Sequence, residues 1–258
     1  MKKTIEERRD ELLGKEFETN KCGKCFIIDY KGYHDVTVMF YNPMYVTKTE
    51  MGHLKTGYLK NPLFPTYLGK GYFGIGNYGG AEHKVMYELW TGILDRAYNE
   101  KRRFKVPTYK DVTVCEEWLN FQNFAAWCET QEFFNAKDDK GRPYQLDKDI
   151  LSGDSKVYSP NTCCFVPRAL NNLFTKRGNA RGDCLIGVLH RGENKFLAQH
   201  SYFTGKKHLG TFASETEAFL AYKTSKEAYV REVAEKWKGK IDDKVYQTLM
   251  KYEVNIND

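Results

Sequence analysis

The stretch that most restricts the fold is residues 185–228, LIGVLHRGENKFLAQHSYFTGKKHLGTFASETEAFLAYKTSKEA. Three short β-prone runs are separated by the turn-forming tetrads RGEN and TGKK, which predicts a three-stranded antiparallel sheet. A helix follows at once: Ser214 with Glu217 three residues later is a capping box, in which each side chain satisfies a backbone donor of the other. Ala218, Ala221, Tyr222 and Ser225 give that helix a face of mostly small residues that packs closely on one side of the sheet. The other side is then left to solvent, and alternation along the strands assigns to it some of His190, Arg191, Lys195, Gln199, His200, Lys206 and His208.

A free sheet face matters because charge gathers around it. The chain of 258 residues carries a formal charge of +6, modest when spread evenly. Within residues 176–207, however, Lys176, Arg177, Arg181, Arg191, Lys195, Lys206 and Lys207 stand against Asp183 and Glu193 alone. A second cluster, KRRFKVPTYK, holds Lys101, Arg102, Arg103, Lys105 and Lys110 with no acid. Clustered cations attract polyanions through their field and through counterion release, which points to nucleic acid; a solvated loop is the plainer alternative. The opening MKKTIEERRDELLGKEF has no apolar run suited to a signal peptide and no later segment reads as a membrane span, so a soluble, cytoplasmic protein is expected. Seven cysteines, an odd number, fit a reducing compartment. Cys22 and Cys25 form half of a zinc knuckle without a second pair, which favours a structural turn.

Length suggests two or three units. Residues 14–76 alternate β-rich runs (CFIIDY, DVTVMFY, TYLGKGYFGIG) with Gly, Asn and Pro, predicting a small antiparallel sheet module over residues 1–80. From Glu82 the period changes: Met86, Leu89, Trp90, Ile93, Leu94 and Ala97 recur at helical spacing, and Trp118, Phe121, Ala125 and Cys128 mark a second helix. These open a mixed core over residues 81–178, and the remaining residues 179–258 form the sheet-on-helix unit with a helical extension bearing Tyr229, Val233, Trp237, Val245 and Leu249. The fold class is α+β.

The middle segment carries the candidate chemistry, YQLDKDILSGDSKVYSPNTCCFVPRALNNLF. If YQLDKDI is a strand, Asp147 and Asp149 share a face and Lys148 takes the other. Two adjacent carboxylates are tolerated when solvated, when one is protonated, or when a hard cation such as Mg²⁺ lies between them.

That stretch resembles the ββα-metal core of HNH-type endonucleases of phages and mobile introns, in which a strand ending in His-x-Asp precedes an Asn-bearing loop and a helix. The IGV, HRGENKF and GKKHLGTF segments with the Ser214 helix resemble the AP-two/ethylene-response-factor DNA-binding domain, which accompanies such nucleases. Together the resemblances cover about the last two-thirds of the chain. They imply a Mg²⁺-dependent nuclease with Asp147 and Asp149 at the metal and Asn161 and Asn172 as ligands or orienters. They also imply a sheet that enters the major groove, where Arg can pair with guanine and Gln with adenine; on that geometry Arg191 and Gln199 are expected to read bases and Lys195, Lys206 and Lys207 to contact phosphates. The KRRFK loop between the two helices, with Arg102 and Arg103, is expected to face a phosphate backbone through its charge alone.

This chain departs from the nuclease pattern: Asp147 falls at the catalytic histidine, and no histidine lies between His83 and His190. Shifting the register puts Lys148 there, which must lose a proton to act as a base. Either Asp147 serves as carboxylate base or ligand, or the core is a docking scaffold without catalysis. The expected activity is therefore site-specific binding of double-stranded DNA, with or without nicking. Binding to an acidic protein is a third possibility.

Overall fold

Alternating burial builds the first sheet in this computed structural model, which describes residues 3–153, 155–174, 184–202 and 205–256. A capping box between Thr4 and Glu7 starts α1 (Ile5–Leu12). Strands β1 (Glu16–Glu18), β2 (Lys24–Gly32), β3 (Asp35–Tyr41) and β4 (Met44–Thr49) then pair in sequence order, all antiparallel. Their inner positions, Cys25, Ile27, Val36, Val38 and Phe40, are buried with Met51 and Leu54 of α2 (Met51–Thr56). The CGKC segment is a structural turn. Thr19 accepts from the Cys22 amide and donates to the Gly23 carbonyl, Gly23 takes a positive φ, and burial pushes the Cys25 thiol up to about 11.

The third expected β run, TYLGKGYFGIG, forms isolated bridges instead of a strand. Its glycines explain why: a Cβ on Gly71 would stand 2.4 Å from a Leu94 methyl and one on Gly74 would stand 1.9 Å from the Asn120 side chain, so the segment lies flat against its neighbours. Buried Gln122 replaces the missing ladder. It accepts from the Tyr78 amide and donates to the carbonyls of Phe73 and Tyr78. Helix α3 (Lys84–Tyr98) buries Met86, Trp90, Ile93, Leu94 and Ala97, as its spacing predicts. After α4 (Glu100–Lys105) and the short β5 (Thr113–Val114), α5 (Phe121–Thr130) buries Phe121, Phe124, Ala125 and Cys128.

The chain separates into two units, Met1–Cys128 and Glu129–Asp258. The expected boundary at residue 80 is not seen. The glycine-rich segment before it packs on Trp90 and Leu94 of α3, so the first sheet and the helices that follow belong to one unit. The expected boundary at 178, together with Lys176, Arg177, Arg181 and Asp154, lies outside the described residues.

In the second unit β6 (Gln145–Asp147) pairs antiparallel with β8 (Cys164–Val166). Between them lie α6 (Asp149–Ser152) and β7 (Val157–Tyr158), and α7 (Arg168–Leu173) follows after Pro167. Strands β9 (Val188–His190), β10 (Phe196–Tyr202) and β11 (Gly205–Phe212) form an antiparallel sheet in the order β11-β10-β9, packed against α8 (Glu215–Trp237). Ser214 caps α8 by accepting from the Glu217 amide. Val188, Ala198, Ala218, Phe219 and Tyr222 make the shared core. The extension is not one continuous helix: α8 stops at Trp237, Gly239 turns with a positive φ, and Asp242 caps α9 (Asp243–Met250), which buries Val245 and Leu249.

Candidate nucleic-acid interface

Strand register decides which side chains the C-terminal sheet offers. Directly opposed residues share a face, and the pairs are Phe196 with Phe212, Ala198 with Gly210, Gln199 with His208, His200 with Lys207, and Ser201 with Lys206. Ala198 is fully buried against α8, which puts Phe196, His200 and Tyr202 on the helix side and Leu197, Gln199 and Ser201 on the open side. A bulge between Ala198 and Gln199 keeps β11 in phase, so His208 and Lys206 join the open side. The result is a polar block of Gln199, His208, Ser201 and Lys206 across two strands. At the mouth of the β9–β10 hairpin, Arg191 and Lys195 face each other, the Arg191 amide donating to the Lys195 carbonyl at 2.9 Å. Both are exposed.

His190 and His200, offered to the free face, and Lys207, expected on phosphate, fall elsewhere; His190 opposes Phe196 on the helix side. His200 is 2 % exposed, not on the free face. Its ring sits among Tyr202, Tyr222 and Tyr229, with Nδ1 3.4 Å from the Ser225 hydroxyl. Burial, assisted by the nearby Lys226 charge, holds its pKa down at about 4, so the imidazole is neutral at pH 7. Lys207 is exposed but lies on the helix side of the pleat, its Nζ 6.0 Å from the Tyr202 ring centre. Adjacent lysines in a strand point to opposite faces, so Lys206 and Lys207 do not form one phosphate clamp.

Close packing behind this face depends on Gly187. Its φ of +79° is in the left-handed region, and a Cβ there would stand 2.1 Å from the Tyr222 ring; its carbonyl accepts from the Gln199 amide at 2.9 Å. The start of β9 is thereby drawn onto α8 while Gln199 is fixed.

Compared with protein-family models, curated proteins and solved structures, the chain matches none.

The paired-aspartate reading of the middle segment needs correcting. The strand ends at Asp147 and a helical turn begins at Asp149, so the two carboxylates do not alternate along one strand face. Asp147 is 6 % exposed and accepts from the Ile150 amide at 2.9 Å, capping α6. Desolvation lifts its pKa to about 6. Asp149 has a side chain 72 % exposed and takes the Lys148 ammonium at 2.7 Å, and that buried Lys148 also donates to the Ser155 carbonyl. Asn161 and Asn172 are exposed, one in the turn before β8 and the other on α7, and among the described residues no hydrogen bond joins either to Asp147 or Asp149. No group of three His, Cys, Asp or Glu suited to a metal occurs among the described residues.

In the first unit, Arg102 and Arg103 lie on α4 and both are engaged by the fold. Arg102 pairs with Asp95 at 2.8 Å, and Arg103 donates to the Lys110 carbonyl. Among the described residues no helix is long and apolar enough to cross a membrane.

One feature escaped sequence reading. Lys226 is buried on the sheet side of α8 and donates to the Leu173 carbonyl at 2.8 Å; desolvation lowers its pKa to about 8. Its place four residues after buried Tyr222, on the same helix face, was the available signal.

Proposed function

We propose that the protein is a sequence-specific double-stranded DNA-binding protein that acts inside the cell and lays the β10–β11 ribbon in the major groove. The observation that carries this is the two-sided sheet: one face is sealed by α8, and the other presents Gln199, His208, Ser201 and Lys206, with Arg191 and Lys195 at the hairpin. Strands about 4.8 Å apart form a ribbon narrow enough for a groove about 12 Å wide. Arg191 and Gln199 have the donor and acceptor geometry for bidentate contact with guanine and adenine, while Lys195 and Lys206 supply phosphate contacts.

Of the two readings the sequence leaves open, the geometry favours the binder without catalysis. Asp147 is occupied as a helix cap and Asp149 as the partner of Lys148, which supports a scaffold role for the middle segment. Mg²⁺-dependent nicking through Asp147 and Asp149 remains the proposal to be set against it.

Selection of duplexes from a random library, followed by anisotropy titrations, tests the reading. Arg191→Ala is expected to cost about 1–3 kcal/mol on the selected site and much less on scrambled DNA. Lys206→Ala should weaken both alike and reduce the salt slope by about one. Failure to enrich any sequence, or equal loss on all sequences for Arg191→Ala, would overturn it.

A further inference from the structure

Phe104 is 88 % exposed, more than any other large hydrophobic side chain described. Its setting is built with care for so small a helix. Asn99 caps α4 by accepting from the Arg102 amide at 3.2 Å and donates to Asp95 at 2.7 Å. The Arg102 guanidinium meets the same carboxylate and lies 5.8 Å from the Tyr109 ring centre, while Arg103 closes onto the Lys110 carbonyl. The two arginines expected on phosphates therefore fix the segment in place. What they leave facing solvent is one aromatic ring between Lys101 and Lys105, with Lys110 nearby in sequence. Among the described residues, none of Lys101, Arg103, Lys105 and Lys110 has a carboxylate partner.

We infer that Phe104 is a stacking residue for unpaired nucleic-acid bases, with Lys101 and Lys105 taking the flanking phosphates. The inference rests on the nucleic-acid reading above and adds a second, sequence-tolerant site in the other unit. A base offers a π-face to an aromatic ring and a phosphate offers charge to flanking cations, so a single exposed Phe flanked by lysines on a pinned helix matches one base and its neighbours. A membrane surface is the poorer match, because interfacial binding scales with apolar area and α4 exposes one large apolar ring among charges.

The 258-residue chain is titrated with a single-stranded oligonucleotide carrying 2-aminopurine, with the selected duplex, and with anionic phosphatidylserine vesicles. Phe104→Ala is expected to weaken single-strand binding about ten-fold and to remove the fluorescence quenching of the reporter base, while duplex affinity stays unchanged. Phe104→Tyr should restore both single-strand readouts, and Lys101→Gln with Lys105→Gln should flatten the salt dependence. The exposed ring contributes little to folding, and equal thermal unfolding of the variants checks this. An unchanged single-strand affinity in Phe104→Ala, or no single-strand binding by the parent protein, overturns the inference. Phe104-dependent vesicle binding without oligonucleotide binding overturns it in favour of a membrane surface. Single-strand binding that does not depend on Phe104, with Arg191-dependent duplex binding intact, sinks this site alone; the converse sinks the sheet reading alone.

Discussion

Replacing Asp147 with Asn separates a buried helix cap from a metal ligand. The side chain is 6 % exposed and its oxygen accepts from the Ile150 amide, a bond that the Asn carbonyl can keep. Burial lifts the acid from its ordinary 3.8 to about 6. A shift of about two units corresponds to a pH-dependent term of about 3 kcal/mol. Its sign is set by proton uptake: between about pH 4 and 6 the folded chain holds a proton that the unfolded chain has released, so stability falls as pH rises. Below pH 4 both states are protonated and the term vanishes; above 6 it is constant. The amide of Asn must itself be desolvated, which costs about 1–2 kcal/mol at every pH. Asp147→Asn should therefore be about 1–2 kcal/mol less stable than the parent near pH 4 and about 1–2 kcal/mol more stable at pH 7 to 8. Urea titrations at pH 4, 6 and 8, followed by circular dichroism, measure the difference. A pH-independent difference would refute the reasoning. So would stabilisation of the parent by millimolar Mg²⁺ that the variant lacks, since a ligand carboxylate gains from the cation.

Two further perturbations probe the support of the open sheet face. Gly187→Ala combines a left-handed φ with a Cβ 2.1 Å from the Tyr222 ring, so a loss of more than about 2 kcal/mol is expected in thermal or urea unfolding, and a neutral result would mean that β9 does not sit where it is described. His200→Phe removes a buried neutral imidazole whose pKa is held down at about 4. Because the unfolded histidine takes up its proton near 6.5, the parent should lose about 3 kcal/mol relative to the variant as pH falls from 6.5 to 4, read by the same titrations. This slope opposes that of Asp147 over pH 4 to 6, so a flat parent profile there is expected to split only in the single variants; parallel profiles for parent and His200→Phe would refute the assignment.

Periodicity alone determined a good deal. The change from two-residue to helical spacing marked the first sheet and α3, and the Ser214 cap with the turn at RGEN marked the sheet-on-helix unit, because these are local rules of backbone and hydrogen bonding. The expected turn at TGKK was misplaced: Gly205, Lys206 and Lys207 belong to β11. Local rules also explain where the reading stopped. The parity of β10 sent His200 inward, and one bulge at Ala198/Gln199 put Lys206 rather than Lys207 on the open side; no count of strand residues reveals a bulge. Asp147 and Asp149 ceased to be a pair once the strand ended between them, a boundary set by the cap to Ile150. Arg102 and Arg103 read as free cations in the sequence, yet Asp95 and the Lys110 carbonyl claim them and leave Phe104 outside. The sequence by itself determined which elements form and where charge accumulates; the tertiary structure decided which of those charges faces solvent, since burial and pairing are properties of neighbours brought together by packing.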